Sequence, residues 1–279
     1  MILMIQQKYI LEGPLRLMDD TWDAIIIGGG PAGSTVARYA AEGGAKVLVI
    51  DRRKEIGTPL QCGELVPTNE ELSRLCPDVP DIDKLFQTPK EAISKKTREM
   101  GLVTPSGKKL VYPFEGQILY RPVHDQKLVD VAKKCGAQYL TESRVNDISE
   151  NTVFLKNGEK LDAKIIVGCG GPHDPLRKKF WNEKSLNIAV NFVLIEGDFG
   201  DRVNLYFGST APGGYAWMIP KKGGANIGIG IQTRFSKGKS LNSMADEFFR
   251  RFKGVITYKG GGVLPMSGSI RTFTKGNYM

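Results

Sequence analysis

The residues best able to do chemistry in this chain fall in three short stretches. The first is Gly28-Gly29-Gly30-Pro31-Ala32-Gly33, with Asp51 standing 18 residues beyond Gly33. In a GxGxxG spacing the first glycine (Gly28) permits a tight turn. The second (Gly30) lets the backbone approach a pyrophosphate, and the third (Gly33) lets a helix pack closely on a strand. A helix opening at Pro31 and Ala32 would aim unpaired N–H groups and a partial positive charge at the phosphates. Asp51 is then placed to accept hydrogen bonds from a ribose. The second stretch is Gln61-Cys62-Gly63-Glu64, in which Cys62 reads from composition alone as a small buried hydrophobe. The third is Pro212-Gly213-Gly214-Tyr215-Ala216-Trp217-Met218-Ile219-Pro220. Tyr215 and Trp217 alternate on an expected strand and so share one side, as core packing or as an apolar wall.

These residues need a scaffold, and the pattern around them supplies one. Residues 23–27 (DAIII) read as a short buried strand, 31–42 as a helix and 46–50 (KVLVI) as a second buried strand. Strand, glycine turn, helix and strand open an α/β fold with a parallel sheet. Beyond a Gly- and Pro-rich loop, 68–76 and 124–135 read as helices, with short alternating runs at 100–104, 108–112 and 117–120. Residues 138–161 suggest a small meander, and 163–168 another buried strand. From 187 the pattern changes to consecutive antiparallel strands at 187–196, 202–208, 214–219 and 225–232, a helix at 240–252 and a strand near 254–264. The expected division is a Rossmann-like domain over 18–178, with 91–114 able to join the second sheet. An antiparallel-sheet domain follows over 179–265, and 266–279 begins a return to the first.

The totals bound the possibilities. With 279 residues the chain is long enough for two domains. Its longest purely apolar runs, such as Met1–Ile5, are far short of the roughly 20 residues a spanning helix needs. Gln6, Gln7 and Lys8 break the N-terminal run, which argues against a signal peptide, and Met18 offers a later start. The net charge is 39 − 30 = +9, in short scattered clusters. No nucleic-acid module surrounds them, which argues against a nucleic-acid partner and leaves an anionic substrate, a membrane surface or a solvated basic surface. Four separated cysteines without a CxxC, and only two histidines, argue against a metal site and for free thiols in a reducing cytoplasm.

Residues 25–63 resemble the geranylgeranyl reductase family, whose fold is that of the flavoprotein para-hydroxybenzoate hydroxylase. Residues 119–137 (LYRPVHDQKLVDVAKKCGA) resemble the Arg-x-x-x-Asp-x-x-Leu helix opening of that fold. Residues 212–220 resemble the family's PxxYxWxFP substrate motif, with Ile219 in place of Phe. The resemblance implies FAD, held by Gly28, Gly30, Pro31, Ala32, Gly33, Asp51 and Arg52. It places Cys62 and Gly63 beside the flavin ring, and makes Arg121, Val145 and Gly170 further cofactor contacts. Cys62 becomes a flavin-proximal proton donor, Tyr215 and Trp217 become the wall of an apolar tunnel for a prenyl chain, and Pro212, at its entrance turn, and Pro220 become further substrate-binding residues. The activity implied is reduction of C=C bonds in geranylgeranyl chains of archaeal-type lipids, with ferredoxin or NADPH as electron donor. A monooxygenase of the same fold, or a nucleotide-binding fragment without turnover, are the alternatives. The implied location is the cytoplasm, with peripheral contact at the inner membrane face. Two departures stand out. Gly168-Cys169-Gly170 replaces the usual Ala-Asp-Gly, and the chain stops before the family's Gly-Asp motif, so it reads as C-terminally truncated.

Overall fold

A computed structural model of the protein describes residues 21–80, 82, 88–181, 187–268 and 270–279. The expectations for Met1–Ile5, for a start at Met18 and for the first residues of 18–178 lie partly or wholly outside the described residues.

Two sheets organise the chain. In the first, β1 (Trp22–Ile27) lies between β2 (Val47–Ile50) and β9 (Lys160–Gly168), parallel to both. The full order is β6-β2-β1-β9-β8-β7, with β6 at Gln138–Leu140, β7 at Val145–Ser149 and β8 at Thr152–Leu155. The apolar run over residues 24–27 of β1 is what a parallel strand covered on both faces requires. Ile25 and Ile27 bury on one side with Ile148, Val153, Ile166 and Leu176. Ala24 and Ile26 bury on the other with Ala37, Ala41 and Ala132. Alanines on α1 (Pro31–Glu42) and α3 (Arg121–Lys134) let these helices sit close to the sheet; α2 is Asn69–Leu75. The opposite face is covered by β7, β8 and the short α4 (Pro175–Phe180) through Leu176.

The expected meander over 138–161 is only partly present. β7, β8 and β9 form it, but β6 leaves it and pairs parallel with β2, Val49 opposite Tyr139. At that edge Tyr139 packs half-buried beside α1 and donates its hydroxyl to Ser34 Oγ at 3.1 Å, which a solvent-side meander would not allow. The C-terminal residues also return to this sheet. Met279 N–H donates to the Ile166 carbonyl at 3.0 Å, and its own carbonyl accepts from Gly168 at 2.7 Å. Tyr278 stacks on Phe180 with ring centroids 4.1 Å apart.

The second sheet runs β14-β10-β13-β12-β11-β4-β5-β3. Its strands are β3 (Leu65–Pro67), β4 (Ile93–Val103), β5 (Lys109–Leu119), β10 (Asn187–Glu196), β11 (Val203–Tyr206), β12 (Tyr215–Lys221), β13 (Gly224–Ile231) and β14 (Val255–Pro265). All neighbours are antiparallel except β11 and β4. The period of two in β13 sorts its residues. Ile227, Ile229 and Ile231 pack on Met244, Ala245 and Phe248 of α5 (Leu241–Phe249). Asn226, Gly228 and Gly230 fall on the other face, toward the first sheet's loops.

Candidate active site at the junction of the two sheets

The glycine turn after β1 has the three environments its spacing implies. Gly28 has φ +101°, and a Cβ there would meet the Cys169 carbonyl oxygen at 2.5 Å. A Cβ on Gly33 would run into the Gly28 carbonyl oxygen. Gly30 faces open space, with nothing within 4 Å of where a Cβ would stand. Gly28 and Gly33 thus close the turn on itself while Gly30 leaves its outer face clear for a phosphate. Pro31 and the exposed Ala32 begin α1, whose first-turn N–H groups have no partners within the helix. The Gly33→Ala variant is expected to lose at least about 1–3 kcal/mol of stability by overpacking. It is also expected to retain little nucleotide; a thermal melt and the cofactor released on denaturation check both.

Asp51 is buried at the end of β2. Its Oδ2 accepts from Gly29 N–H and its Oδ1 from Arg53 N–H, both at 2.8 Å. The carboxylate is therefore fixed by backbone donors, and each oxygen keeps a lone pair for a ribose. Arg52 beside it is exposed. Glu142 N–H donates to the Arg53 carbonyl and Ser143 N–H to the Asp51 carbonyl, at 3.0 and 2.9 Å. The chain entering Val145 thus runs alongside Asp51. Val145 itself opens β7, half-buried against the core.

Where Gly168-Cys169-Gly170 lacks a carboxylate, one arrives four residues later. Asp174 accepts from Gly170 N–H at 2.6 Å and from Arg177 N–H at 2.9 Å, capping α4. Burial holds its carboxyl above the usual carboxylate range, against the pull of those backbone donors. Burial, then the Asp174 charge, pushes the Cys169 thiol up to about 11, so this cysteine is a neutral packing group.

The second cluster lies where the Cys62 loop meets β12 and β13. Cys62 Sγ accepts from Glu64 N–H at 3.1 Å, and the Cys62 carbonyl accepts from Asn226 Nδ2 at 2.9 Å. Trp217 Nε1 donates to Asn226 Oδ1 at 2.9 Å, and its indole lies against Gly63. Tyr215 continues the aromatic wall at a centroid distance of 6.0 Å. Burial raises the Tyr215 phenol, and the neighbouring Cys62 adds to the shift. Arg121, at the start of α3, makes two 2.9 Å bonds to Asp125 through Nε and Nη2. Burial opposes its charge, but Asp125 and the Cys62 sulfur outweigh that and hold the guanidinium above its ordinary pKa. Burial likewise opposes the Asp125 charge, and His124 and Arg121 outweigh it, so that carboxyl is held low. Cys62, Gly63, Arg121, Tyr215 and Trp217 therefore share one site.

Pro220 does not join them. Trp217, Ile219 and Lys221 alternate onto the face toward the Cys62 loop, whereas Pro220 shares its face with Ala216 and Met218, which pack in the α5 core. The strand register corrects Pro220 from a substrate-binding residue to a residue of the far face. Pro212 sits in the turn ahead of Tyr215, its carbonyl accepting from Gln232 N–H at 3.0 Å.

Three residues that the motifs did not single out complete the junction. Glu64, buried and at φ +71°, takes Lys221 Nζ at 2.5 Å and Asn226 Nδ2 at 3.2 Å on Oε2, and Arg121 N–H at 3.4 Å on Oε1. Lys221 also lies over the Tyr120 ring at 4.9 Å. The one available signal was Asn226, a polar side chain inside the apolar run ANIGIGI. Gly228 explains the spacing of that run, because a Cβ there would overlap the Trp217 indole. The Gly228→Ala variant is expected to displace the indole and cost about 1–3 kcal/mol. Urea unfolding gives the cost, and the loss of the Trp217–Asn226 bond should shift tryptophan emission.

Among the described residues no group of three His, Cys, Asp or Glu is placed to hold a metal, and no helix is long and apolar enough to cross a membrane. Comparison with known proteins adds the following. Residues 185–263 match the geranylgeranyl reductase catalytic domain, and residues 26–70 match an NAD(P)-binding Rossmann-like domain. Digeranylgeranylglycerophospholipid reductase 3 of Methanosphaera stadtmanae is 30% identical over 288 residues, covering 92% of this chain and 69% of its own length. The digeranylgeranylglycerophospholipid reductase of Methanosarcina acetivorans is 30% identical over 281 residues, covering 91% of this chain and 66% of its own. This chain thus spans about two thirds of the length of these curated relatives. Among solved structures, a geranylgeranyl bacteriochlorophyll reductase-like protein from Thermoplasma acidophilum superposes with TM-score 0.77 at 27% identity, over 93% of this chain and 70% of that one. A flavin-dependent brominase, a halogenase and a probable FAD-dependent monooxygenase, at 13–17% identity, share the fold alone.

Proposed function

This chain belongs to the geranylgeranyl reductase family, and on that premise we propose that it is an FAD-dependent reductase of the C=C bonds in geranylgeranyl chains of archaeal-type phospholipids. One observation carries the reading. The thiol of Cys62, the guanidinium of Arg121 and the aromatic wall of Tyr215 and Trp217 meet in one place, where the Cys62 loop crosses the second sheet. A prenyl chain offers only C–H groups and π-bonds, so aromatic and aliphatic surface is what can hold it.

The cradle fits a dinucleotide. Gly30 is open, the N-terminus of α1 faces outward past Pro31 and Ala32, and Asp51 has lone pairs to spare. When bound, FAD would supply the hydride that an isolated alkene cannot obtain from amino-acid side chains. The chain's own groups supply the rest. Gly28, Gly30 and Gly33 shape the pyrophosphate turn, Asp51 and Arg52 the ribose end. Val145 and Gly170 line the approach, and Gly63 keeps the wall of Trp217 close to the Cys62 loop. Cys62 holds the proton that the second alkene carbon needs as hydride reaches the first. The negative charge left on sulfur faces the Glu64 N–H and the Arg121 guanidinium, which Asp125 fixes in place. Tyr215 and Trp217 exclude water, and Pro212 shapes the turn before them. Electrons come from ferredoxin or NADPH. The anionic substrate suits a chain of net charge +9, and contact with the membrane that holds it would be peripheral.

The test is to follow the mass of a digeranylgeranyl phospholipid incubated with the protein, added FAD and a reduced donor. Gain of one H₂ per double bond without oxygen uptake supports the reductase. Oxygen uptake with a hydroxylated product would assign the chain to the monooxygenase chemistry this fold also hosts. Neither product, with nucleotide still retained, would leave a nucleotide-binding fragment without turnover.

A further inference from the structure

We infer that three adjoining loops at the outer end of the aromatic wall form a face that docks on an anionic lipid bilayer. The inference rests on the lipid-reductase reading and goes beyond it by naming the surface through which substrate would arrive. The loops, the first two taken with the opening residue of the strand that follows, are 104–109, ending on Lys109 of β5; 207–215, ending on Tyr215 of β12; and 232–239, after β13. They are contiguous. Phe207 N–H donates to the Val103 carbonyl at 3.1 Å, and Pro105 packs on Gly208. Gln232 Nε2 donates to the Gly213 carbonyl at 2.7 Å, and the Phe235 ring covers Gly213 so closely that a Cβ there would lie 2.5 Å from it.

Two properties coincide on this face. The first is exposed aromatic surface, with Phe235 at 48% and Phe207 and Tyr215 each at 36% relative exposure. Large rings left in water within one patch mark an interaction surface. Rings amid basic groups suit the headgroup region, where aromatic side chains concentrate. The second property is charge of one sign. The three loops carry Lys108, Lys109, Arg234, Lys237 and Lys239 and no Asp or Glu. Lys239 is held by Glu247 of α5 at 3.6 Å, and Arg234 lies over the Phe235 ring at 4.5 Å. A basic, aromatic loop cluster without acids complements an anionic bilayer better than a neutral one.

The position of the patch gives it a purpose. From Phe207 the ring of Tyr215 is 6.3 Å away, and from Tyr215 that of Trp217 is 6.0 Å away. Trp217 is 5% exposed and lies against the Cys62 loop. A chain leaving the bilayer at Phe207 and Tyr215 would pass along apolar surface until it reached the thiol.

The experiment is co-sedimentation with vesicles of phosphatidylglycerol and, separately, of phosphatidylcholine. It compares the protein with an Arg234→Gln/Phe235→Ser/Lys237→Gln variant. A Lys156→Gln/Lys178→Gln variant removes two charges from the other half of the molecule as a control. The protein is expected to bind phosphatidylglycerol and to release with salt. Each cation near such a surface contributes about fivefold, so the loop variant should bind at least about thirtyfold more weakly and the control like the parent. Equal binding by loop variant and parent, or no binding by the parent, would overturn the inference, as would equal binding to phosphatidylcholine. If the loop variant instead turns an oligomer into a monomer without changing vesicle binding, the face is a self-interface and the inference is wrong. Turnover of the loop variant on detergent-dispersed lipid separates the two readings. Loss on vesicles alone supports docking, whereas no turnover by the parent on either substrate counts against the reductase reading and leaves vesicle binding to stand or fall by itself.

Discussion

Replacing Cys62 with alanine lowers turnover of geranylgeranyl chains by about 10²–10⁴, the usual contribution of a positioned general acid, and leaves nucleotide retention and the melting temperature close to the parent's. The sulfur earns this role by its surroundings. It accepts from Glu64 N–H at 3.1 Å and acts on Arg121, whose guanidinium is pinned to Asp125 by two 2.9 Å bonds. These groups balance the charge left behind when a proton departs. The loop itself does not hang on the sulfur, because Asn226 holds the Cys62 carbonyl and Lys221 holds Glu64. The alanine variant should therefore fold, and the loss should fall on kcat rather than on KM. Cys62→Ser tests the acid more finely, since a hydroxyl fills the same space but gives up its proton less readily. Single-turnover reduction followed by mass spectrometry measures the step directly. Undiminished turnover in the alanine variant would remove Cys62 from proton delivery and leave a bound water as the donor. Cys169 is the internal contrast, with a thiol held up to about 11 by burial and packed against the glycine turn.

What could be read from the residues alone follows from which interactions are local. β1, α1 and β2 were legible because a doubly covered parallel strand writes itself as an unbroken apolar run, and the glycine turn imposes its own spacing. The family resemblance rested on such local stretches, and the fold agrees with it. β4 was legible only at its end. Residues 93–99 (ISKKTRE) carry no apolar alternation, and they become strand because β5 pairs alongside them. β6 was misplaced for the same reason, since its partner β2 lies about 90 residues earlier. Pro220 fell inside a motif but on the wrong face of its strand, a distinction that needs the register of the sheet. Of the Glu64–Lys221–Asn226 cluster only Asn226, polar inside an apolar run, left a mark in the sequence. Glu64 and Lys221 stand 157 residues apart, and neither lies in a spacing that predicts the other.

That cluster yields the largest expected effect on stability. Glu64 is 1% and Lys221 9% exposed at the side chain, so the pair sits out of water at the seam between the sheets. Removing one partner leaves an uncompensated buried charge, which costs about 3–5 kcal/mol. Glu64→Gln removes only the charge, keeps the hydrogen-bonding shape and should fall at the low end. Lys221→Met leaves the carboxylate facing Asn226 and the Arg121 N–H alone and should fall at the high end, a drop on the order of 10 °C in melting temperature. The double variant Glu64→Gln/Lys221→Met removes both charges together. Desolvation no longer has to be overcome, and it should recover much of the loss, with a coupling well outside the scatter of additive pairs. The same variants report on position as well as stability. Glu64 donates its N–H to Cys62 Sγ and ties the loop to β12 and β13, so freeing its side chain lets the thiol wander from the aromatic wall. At temperatures where all three variants remain folded, the single variants should lose kcat, and the double variant should recover stability without recovering kcat. Stability and turnover recovering in parallel would show that the pair merely holds the fold together. Recovery of stability alone shows that the seam was built to place the thiol.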